Sequence, residues 1–229
     1  MRSDNIGNID SDMQLKPRIV AALGKDAARD ILVCGDADMI EVRLDLIDMP
    51  LETLKIVRSA TEKPIIVTNR MKSEGGQFGG SEQKRIRILS EAAAYADWID
   101  VELKAPMRND ILKMIDKPAI ISYHDFIGMP SREELNAIMR EMKQTGAKIA
   151  KIAVTPSSLK DNLLILDFLL DAEMPLCMIA MGKVGRHLRA VAPIYGSVLT
   201  YGYVSQAVAP GQMSIAELRA SLNLLDADF

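Results

Sequence analysis

The chain has 229 residues, of which 48% are hydrophobic and 26% charged, and its formal net charge is −3. This is the composition of an ordinary globule, long enough for one large domain or two small ones. The charges are interspersed, which argues against nucleic acid or a membrane surface as partner, and no apolar run approaches the ~18 residues of a membrane span.

Residues 1–14 are polar and lack the apolar segment of a signal peptide. They read as a loose tail ahead of a single domain over 15–229. Eight short apolar runs follow, at 18–23, 39–43, 64–69, 98–103, 119–122, 149–154, 176–180 and 197–201, each with the look of a buried strand. Charged, helix-prone stretches lie between them. Residues 81–96 are a run of helix formers. Ser131 and Glu134 are spaced as a capping box, and Ser214 and Glu217 repeat that device ahead of 218–225. Residues 159–170 form an apolar helix that must pack on a sheet. Strands and helices alternating eight times predict an α/β fold, a single-domain (β/α)8 TIM barrel. A doubly wound open sheet competes, but it wants a glycine-rich turn after the first strand, and Leu23-Gly24-Lys25-Asp26 offers none. Cys34 and Cys177 match no metal or redox spacing, and thiols used this way suggest a reducing cytoplasm.

In such a barrel, function gathers at the C-terminal ends of the strands. On the second strand Glu41 and Arg43 share a face, as an internal ion pair or as ligand groups. The third leads into Arg70, with Glu74 just before Gly75-Gly76. The fifth ends in Ser122-Tyr123-His124-Asp125, and His124 is one of two histidines. The sixth carries Lys151, flanked by Ile149, Ala150, Ile152 and Ala153. Lys148, three residues earlier, points to the other face, where water is near. Lys151 is therefore either a strand lysine that snorkels to the surface or an amine nucleophile for carbonyls. The seventh strand runs into Met181-Gly182 and on to Arg189, whose guanidinium can clamp a carboxylate. Residues 202–212 after the eighth form a lid or a long connection. A lysine, a histidine, carboxylates and arginines on one rim suit imine chemistry on an anionic keto acid, with the neighbouring cations expected to favour a reactive amine. No Cys, His and carboxylate cluster has metal-ligand spacing, so no metal is required.

Seven segments then stand together and in order: Glu41-Val42-Arg43-Leu44-Asp45, Arg70 with Glu74-Gly75-Gly76, Ser122-Tyr123-His124-Asp125-Phe126, Lys151-Ile152-Ala153-Val154, Met181-Gly182 with Arg189, Gly196-Ser197, and Ala209-Pro210-Gly211-Gln212. With these the chain resembles the type I 3-dehydroquinate dehydratases, from about Pro17 to its C-terminus. The resemblance implies dehydration of 3-dehydroquinate to 3-dehydroshikimate on the shikimate route to aromatic amino acids, with no metal or organic cofactor. It implies that Lys151 forms a Schiff base with the substrate ketone, that His124 is the general acid and base, and that Glu74 orients His124. It gives Glu41, Arg43, Arg70, Arg189 and Gln212 to the substrate's hydroxyls and carboxylate, and Met181 to an apolar wall. A homodimer is implied as well. The chain departs from the pattern at Val208, where bacterial relatives carry a serine, and at Ala22-Leu23, where they carry serine-leucine. The lost hydroxyl contact would pass to Ser205 or to water. A Schiff-base aldolase or transaldolase would share the strand-six lysine but wants a phosphate nest near strands seven and eight, of which Gly196-Ser197 gives little. A non-catalytic binder predicts loss of the lysine or the histidine, and both are present.

Overall fold

A computed structural model describes residues 16–225. The tail expected over 1–14 lies outside the described residues. Eight parallel strands follow the apolar runs: β1 (Arg18–Leu23), β2 (Met39–Arg43), β3 (Ile65–Thr68), β4 (Trp98–Glu102), β5 (Ala119–His124), β6 (Ile149–Val154), β7 (Leu176–Ala180) and β8 (Leu199–Tyr203). A two-residue strand, β9 (Met213–Ser214), adds to β8. The order is β7-β6-β5-β4-β3-β2-β1-β8-β9. The ends β7 and β8 meet through one parallel bridge, Leu176 to Ser197, with Val198 N–H donating to Leu176 O at 2.9 Å. This closes the expected barrel.

The helices are α1 (Ala27–Asp30), α2 (Pro50–Ala60), α3 (Glu82–Ala92), α4 (Arg108–Met114), α5 (Arg132–Gln144), α6 (Leu159–Leu170), α7 (Gly182–Gly185), α8 (Leu188–Val191) and α9 (Ile215–Leu224). The capping boxes at Ser131 and Ser214 form, and Ser158 with Asp161 makes a third ahead of α6. β3 is shorter than expected by one residue at each end and β4 by one at its C-terminal end, and two strands differ by more. β5 runs on through Tyr123 and His124, because Tyr123 and His124 still pair with Ile152 and Ala153. β8 begins and ends two residues later than expected. Ser197 spends its hydroxyl on the seam, accepting from Met178 N–H at 3.2 Å and donating to Leu199 O at 3.0 Å. The ladder with β1 then continues to Tyr203, opposite Ala22.

Alternation sorts the side chains into two cores. Outward, Ile40, Val42, Val67, Ile99, Val101, Ile121 and Ile152 pack against Leu54, Leu89, Ile111, Leu135, Ile165 and Leu218 of the helices. Inward, Val20, Met39, Ile66, Ile120, Ile149, Cys177 and Leu199 fill the barrel. Higher along the same inward faces, polar residues replace them: Glu41, Thr68, Asp100, Ser122 and Lys151, all buried. Parallel register sets Thr68 beside Asp100 and Ser122 beside Lys151. The floor of the site is thus built on strands.

Candidate active site

A cavity of about 160 Å³ opens at the C-terminal ends of the strands. Glu41, Arg43, Arg70, Glu74, His124, Lys151, Met181, Arg189 and Gln212 all line it. Sequence reading had drawn these nine from six strand ends and two loops, and the barrel brings every one to a single space.

Lys151 settles first. It is 4% exposed, whereas Lys148 is exposed, so Lys151 does not snorkel out. Its Nζ donates to Asp100 Oδ2 at 2.9 Å, lies 3.5 Å from Glu41 Oε1 and sits 4.2 Å from the centre of the Tyr201 ring. Its contacts are therefore acidic and aromatic, where sequence reading expected cations. Glu41 is itself held by the Thr68 hydroxyl at 2.8 Å.

Asp100 belongs to a buried run of alternating charge. Arg70 Nη2 meets Asp100 Oδ1 at 2.9 Å and its Nη1 meets Glu102 Oε1 at 3.1 Å. Glu102 Oε2 meets Arg85 Nη1 at 2.8 Å, and Arg85 Nε meets Glu82 Oε2 at 2.7 Å. Ser122 accepts from Arg70 and donates to Asp100 Oδ1, both at 2.6 Å. Burial works against the ionised Asp100, but Arg70 and then Lys151 hold its carboxyl well below the usual range. Burial likewise opposes the Arg70 charge, and Asp100 and Glu102 override it, holding the guanidinium above its ordinary value.

His124 Nδ1 stands 2.9 Å from Glu74 Oε2, and the His124 backbone N–H donates to the same oxygen at 3.1 Å. An oxygen that accepts a backbone N–H beside the ring is best served by a second N–H, which puts the proton on Nδ1 and leaves the Nε2 lone pair bare. Burial, followed by the charges of Arg70 and Lys151, pulls the imidazole well below its ordinary value, so it rests neutral. Burial dominates at Glu74 too, and with Glu102 and Asp100 it outweighs Arg70 and the His124 N–H to push the carboxyl up to about 7. Among the described residues Glu74 Oε1 has no hydrogen-bond partner. The carboxylate reaches His124 because the chain turns at Gly75, whose φ of 80° suits glycine and whose missing Cβ makes room for the Phe126 ring.

The remaining cations differ in their commitments. Arg43 grips Asp45 through Nε at 2.9 Å and Nη2 at 2.8 Å. Arg189 donates only to carbonyls, Tyr201 O at 3.3 Å and Pro210 O at 3.1 Å, and its Nε is buried without a partner. Among the described residues it is the cavity's one cation with no acidic partner. Burial brings its guanidinium down to about 10, still charged at neutral pH. Gln212 Oε1 accepts from Val208 N–H at 2.9 Å, which folds the loop 204–212 over the cavity wall. Ser205 donates to Asp30 at 2.6 Å and does not line the cavity, so it does not replace the hydroxyl missing at Val208. Among the described residues no three His, Cys, Asp or Glu side chains are grouped to hold a metal ion, and no helix is long and apolar enough to cross a membrane.

A family model described as type I 3-dehydroquinase matches residues 23–228. The chain belongs to the type I 3-dehydroquinase family. It is 53% identical over 213 residues to a 3-dehydroquinate dehydratase of Methanothrix thermoacetophila, covering 92% of this chain and 93% of that protein. The crystal structure of 3-dehydroquinate dehydratase from Geobacillus kaustophilus superposes with a TM-score of 0.85 at 30% identity, over 93% of this chain and 92% of that one. The Clostridium difficile type I enzyme, solved with covalently modified comenic acid, gives 0.84 at 30% identity over 93% and 94%. Family membership makes this dehydroquinase a hydro-lyase acting on 3-dehydroquinate, and its barrel is the one those structures share.

Asp100, Glu102 and Tyr201 escaped sequence reading, and Phe126 was named there only as part of a motif, with no role at the dehydroquinase site. For the first two there was a signal. Two carboxylates at alternate positions in the apolar strand Trp98-Ile99-Asp100-Val101-Glu102 must share one buried face. A charge there needs a partner. For Tyr201 and Phe126 nothing local distinguishes a cavity wall from ordinary core.

Proposed function

We propose that this dehydroquinase works through a Schiff base on Lys151. The observation that carries the proposal is that Lys151 Nζ, the His124 imidazole and the Arg189 guanidinium, which has no acidic partner among the described residues, all border one cavity. Arg189 is the natural clamp for the substrate carboxylate, because it is desolvated and lacks an anion. Glu41, Arg43 and Gln212 take the substrate hydroxyls, and Met181 packs on the ring. Arg70, engaged by Asp100, Glu102 and Ser122, has the least to spare for substrate.

The chemistry follows from the electron count. The Lys151 ammonium gives a proton to His124 and the amine so formed adds to the ketone carbon; His124 then returns that proton to the carbinolamine hydroxyl, which leaves as water from a protonated imine. That imine is a stronger electron sink than the ketone, so the C–H at C2 becomes acidic. His124, neutral with Nε2 bare, removes that proton and the pair collapses to an enamine. The enamine electrons expel the hydroxyl at C1, to which His124 returns the proton as water departs. The protonated imine of the product forms again, and hydrolysis releases 3-dehydroshikimate and Lys151. Glu74 keeps the imidazole in the tautomer this requires. The reading needs no metal or organic cofactor. It includes a cytoplasmic setting, with which two buried free thiols agree, and a homodimer seated on the outward face of α6.

Borohydride trapping tests it. With 3-dehydroquinate present, reduction should leave a mass adduct on the peptide that holds Lys151, and none without substrate. Turnover with no adduct would overturn the imine mechanism.

A further inference from the structure

Lys151 has two acidic neighbours, and they are not equivalent. Glu41 lines the cavity, lies 3.5 Å from Nζ and faces the space that substrate fills. Asp100 is wholly buried, does not line the cavity and lies nearer, with Oδ2 at 2.9 Å. Its other oxygen is fixed by Arg70 at 2.9 Å and by the Ser122 hydroxyl at 2.6 Å. Substrate can displace Glu41 from Nζ without moving Asp100.

We propose that Asp100 is a positioning residue that acts as the fixed counter-ion of the reacting nitrogen, holding Nζ at the cavity floor and stabilising the protonated imine. The proposal rests on the Lys151 Schiff base and deepens it. The charge on that nitrogen changes through the reaction. It is positive in the protonated imine, absent in the enamine and positive again in the imine of the product. A carboxylate already oriented by two other donors favours the two charged states with no reorganisation, which is where preorganised electrostatics contribute most. Asp100 transfers no proton in this role.

The groups around Asp100 are Arg70 and Glu74 after β3, Ser122 and His124 on β5, Lys151 on β6, Cys177 on β7 and Tyr201 on β8, with Glu41 on β2 sharing the Lys151 nitrogen. Lys151 and Arg70 are the two that make ion pairs with it.

The test is the pH profile of kcat, whose alkaline limb reports deprotonation of the enzyme-bound imine. Asp100→Asn keeps the shape and removes the charge. We expect kcat to fall on the order of 100-fold and the alkaline limb to move at least about one pH unit lower. Ser122→Ala is the second variant, and it serves if Asp100→Asn does not fold. Without the hydroxyl, the carboxylate carries more of its charge toward Lys151, so the limb should move upward. Opposite shifts in the two variants support the counter-ion. A limb that stays in place in either folded variant, while the wild type still traps substrate on Lys151, overturns it and leaves the imine mechanism standing. Absence of the adduct in the wild type would instead remove the mechanism, and the counter-ion with it.

Discussion

Glu74 and His124 face each other across 2.9 Å, and burial shifts them in opposite directions along the pH scale. For Glu74 the folded value is raised to about 7 from 4.5, so the fold favours its protonated form. Its contribution to stability is complete below about 4.5 and is lost as pH rises through about 7. For His124 the folded value is lowered, so its contribution is present above ~6.5 and is lost as pH falls. The two slopes oppose each other between pH 5 and 7, and the wild type should show little dependence from this pair. Glu74→Gln removes one slope. At pH 8 the variant should be more stable than the wild type by up to about 3 kcal/mol, the equivalent of the shift at ~1.4 kcal/mol per unit. Near pH 5 most of that advantage should be gone, and His124 alone should then destabilise it. Urea denaturation at the two pH values reads this directly. A variant less stable than the wild type at pH 8 would mean that the N–H bonds at Oε2 stabilise the anion more than burial opposes it. The two residues were legible in the sequence because a histidine at a strand end and a carboxylate before two glycines stand out locally. Their opposed titration was not, since it depends on Arg70 after β3, Asp100 and Glu102 on β4 and Lys151 on β6, which converge on the pair only in the folded barrel.

At the scale of elements, four of the eight strands match expectation to the residue. β1, β2, β6 and β7 begin and end where the sequence places them, as does α6. β8 moved where a polar side chain does backbone work. Ser197 looks like the first residue of β8, yet the barrel's last seam gets one backbone bridge and needs its hydroxyl to continue the pairing. Cys177 helps, with Sγ at 3.2 Å from Leu199 O. No local pattern announces a seam, because its position depends on how eight strands close. Ser197→Ala should take the Met178 N–H's hydroxyl acceptor and leave Leu199 O one donor fewer, beside the Cys177 thiol, in a wholly buried place, at a cost of roughly 1–3 kcal/mol. The loss should show in the urea midpoint, with hydrogen exchange quickening at β7 and β8 before the other strands. Uniform exchange around the barrel would show that the backbone bridge closes the seam unaided.

Over the whole molecule, the buried charges cancel. The run from Lys151 through Asp100, Arg70, Glu102 and Arg85 to Glu82 alternates in sign and ends at the outer surface of α3. An apolar barrel can hold it because each charge is paired. The outside carries a different excess. On α6, Leu159, Leu163 and Leu170 are exposed, and Leu166 completes a row at spacings of four, three and four along one side of the helix. That is the spacing of a helix that packs on another helix. In the proposed homodimer a second copy of this chain covers it. Turned antiparallel about the middle of α6, the row meets itself, and Lys160 at one end comes toward Asp167 and Asp171 near the other end of its partner. Arg132 binds these two aspartates within the chain, and each still has two thirds of its side chain exposed. Leu163 lies next to the axis of such a pair, so Leu163→Glu would set two carboxylates against each other in an apolar contact. Light scattering should give a dimer for the wild type and a monomer for Leu163→Glu, with kcat unchanged because the cavity opens at the strand ends and not at α6. A wild type that is monomeric at all concentrations would exclude the dimer. A variant that stays dimeric would exclude α6 as its seat.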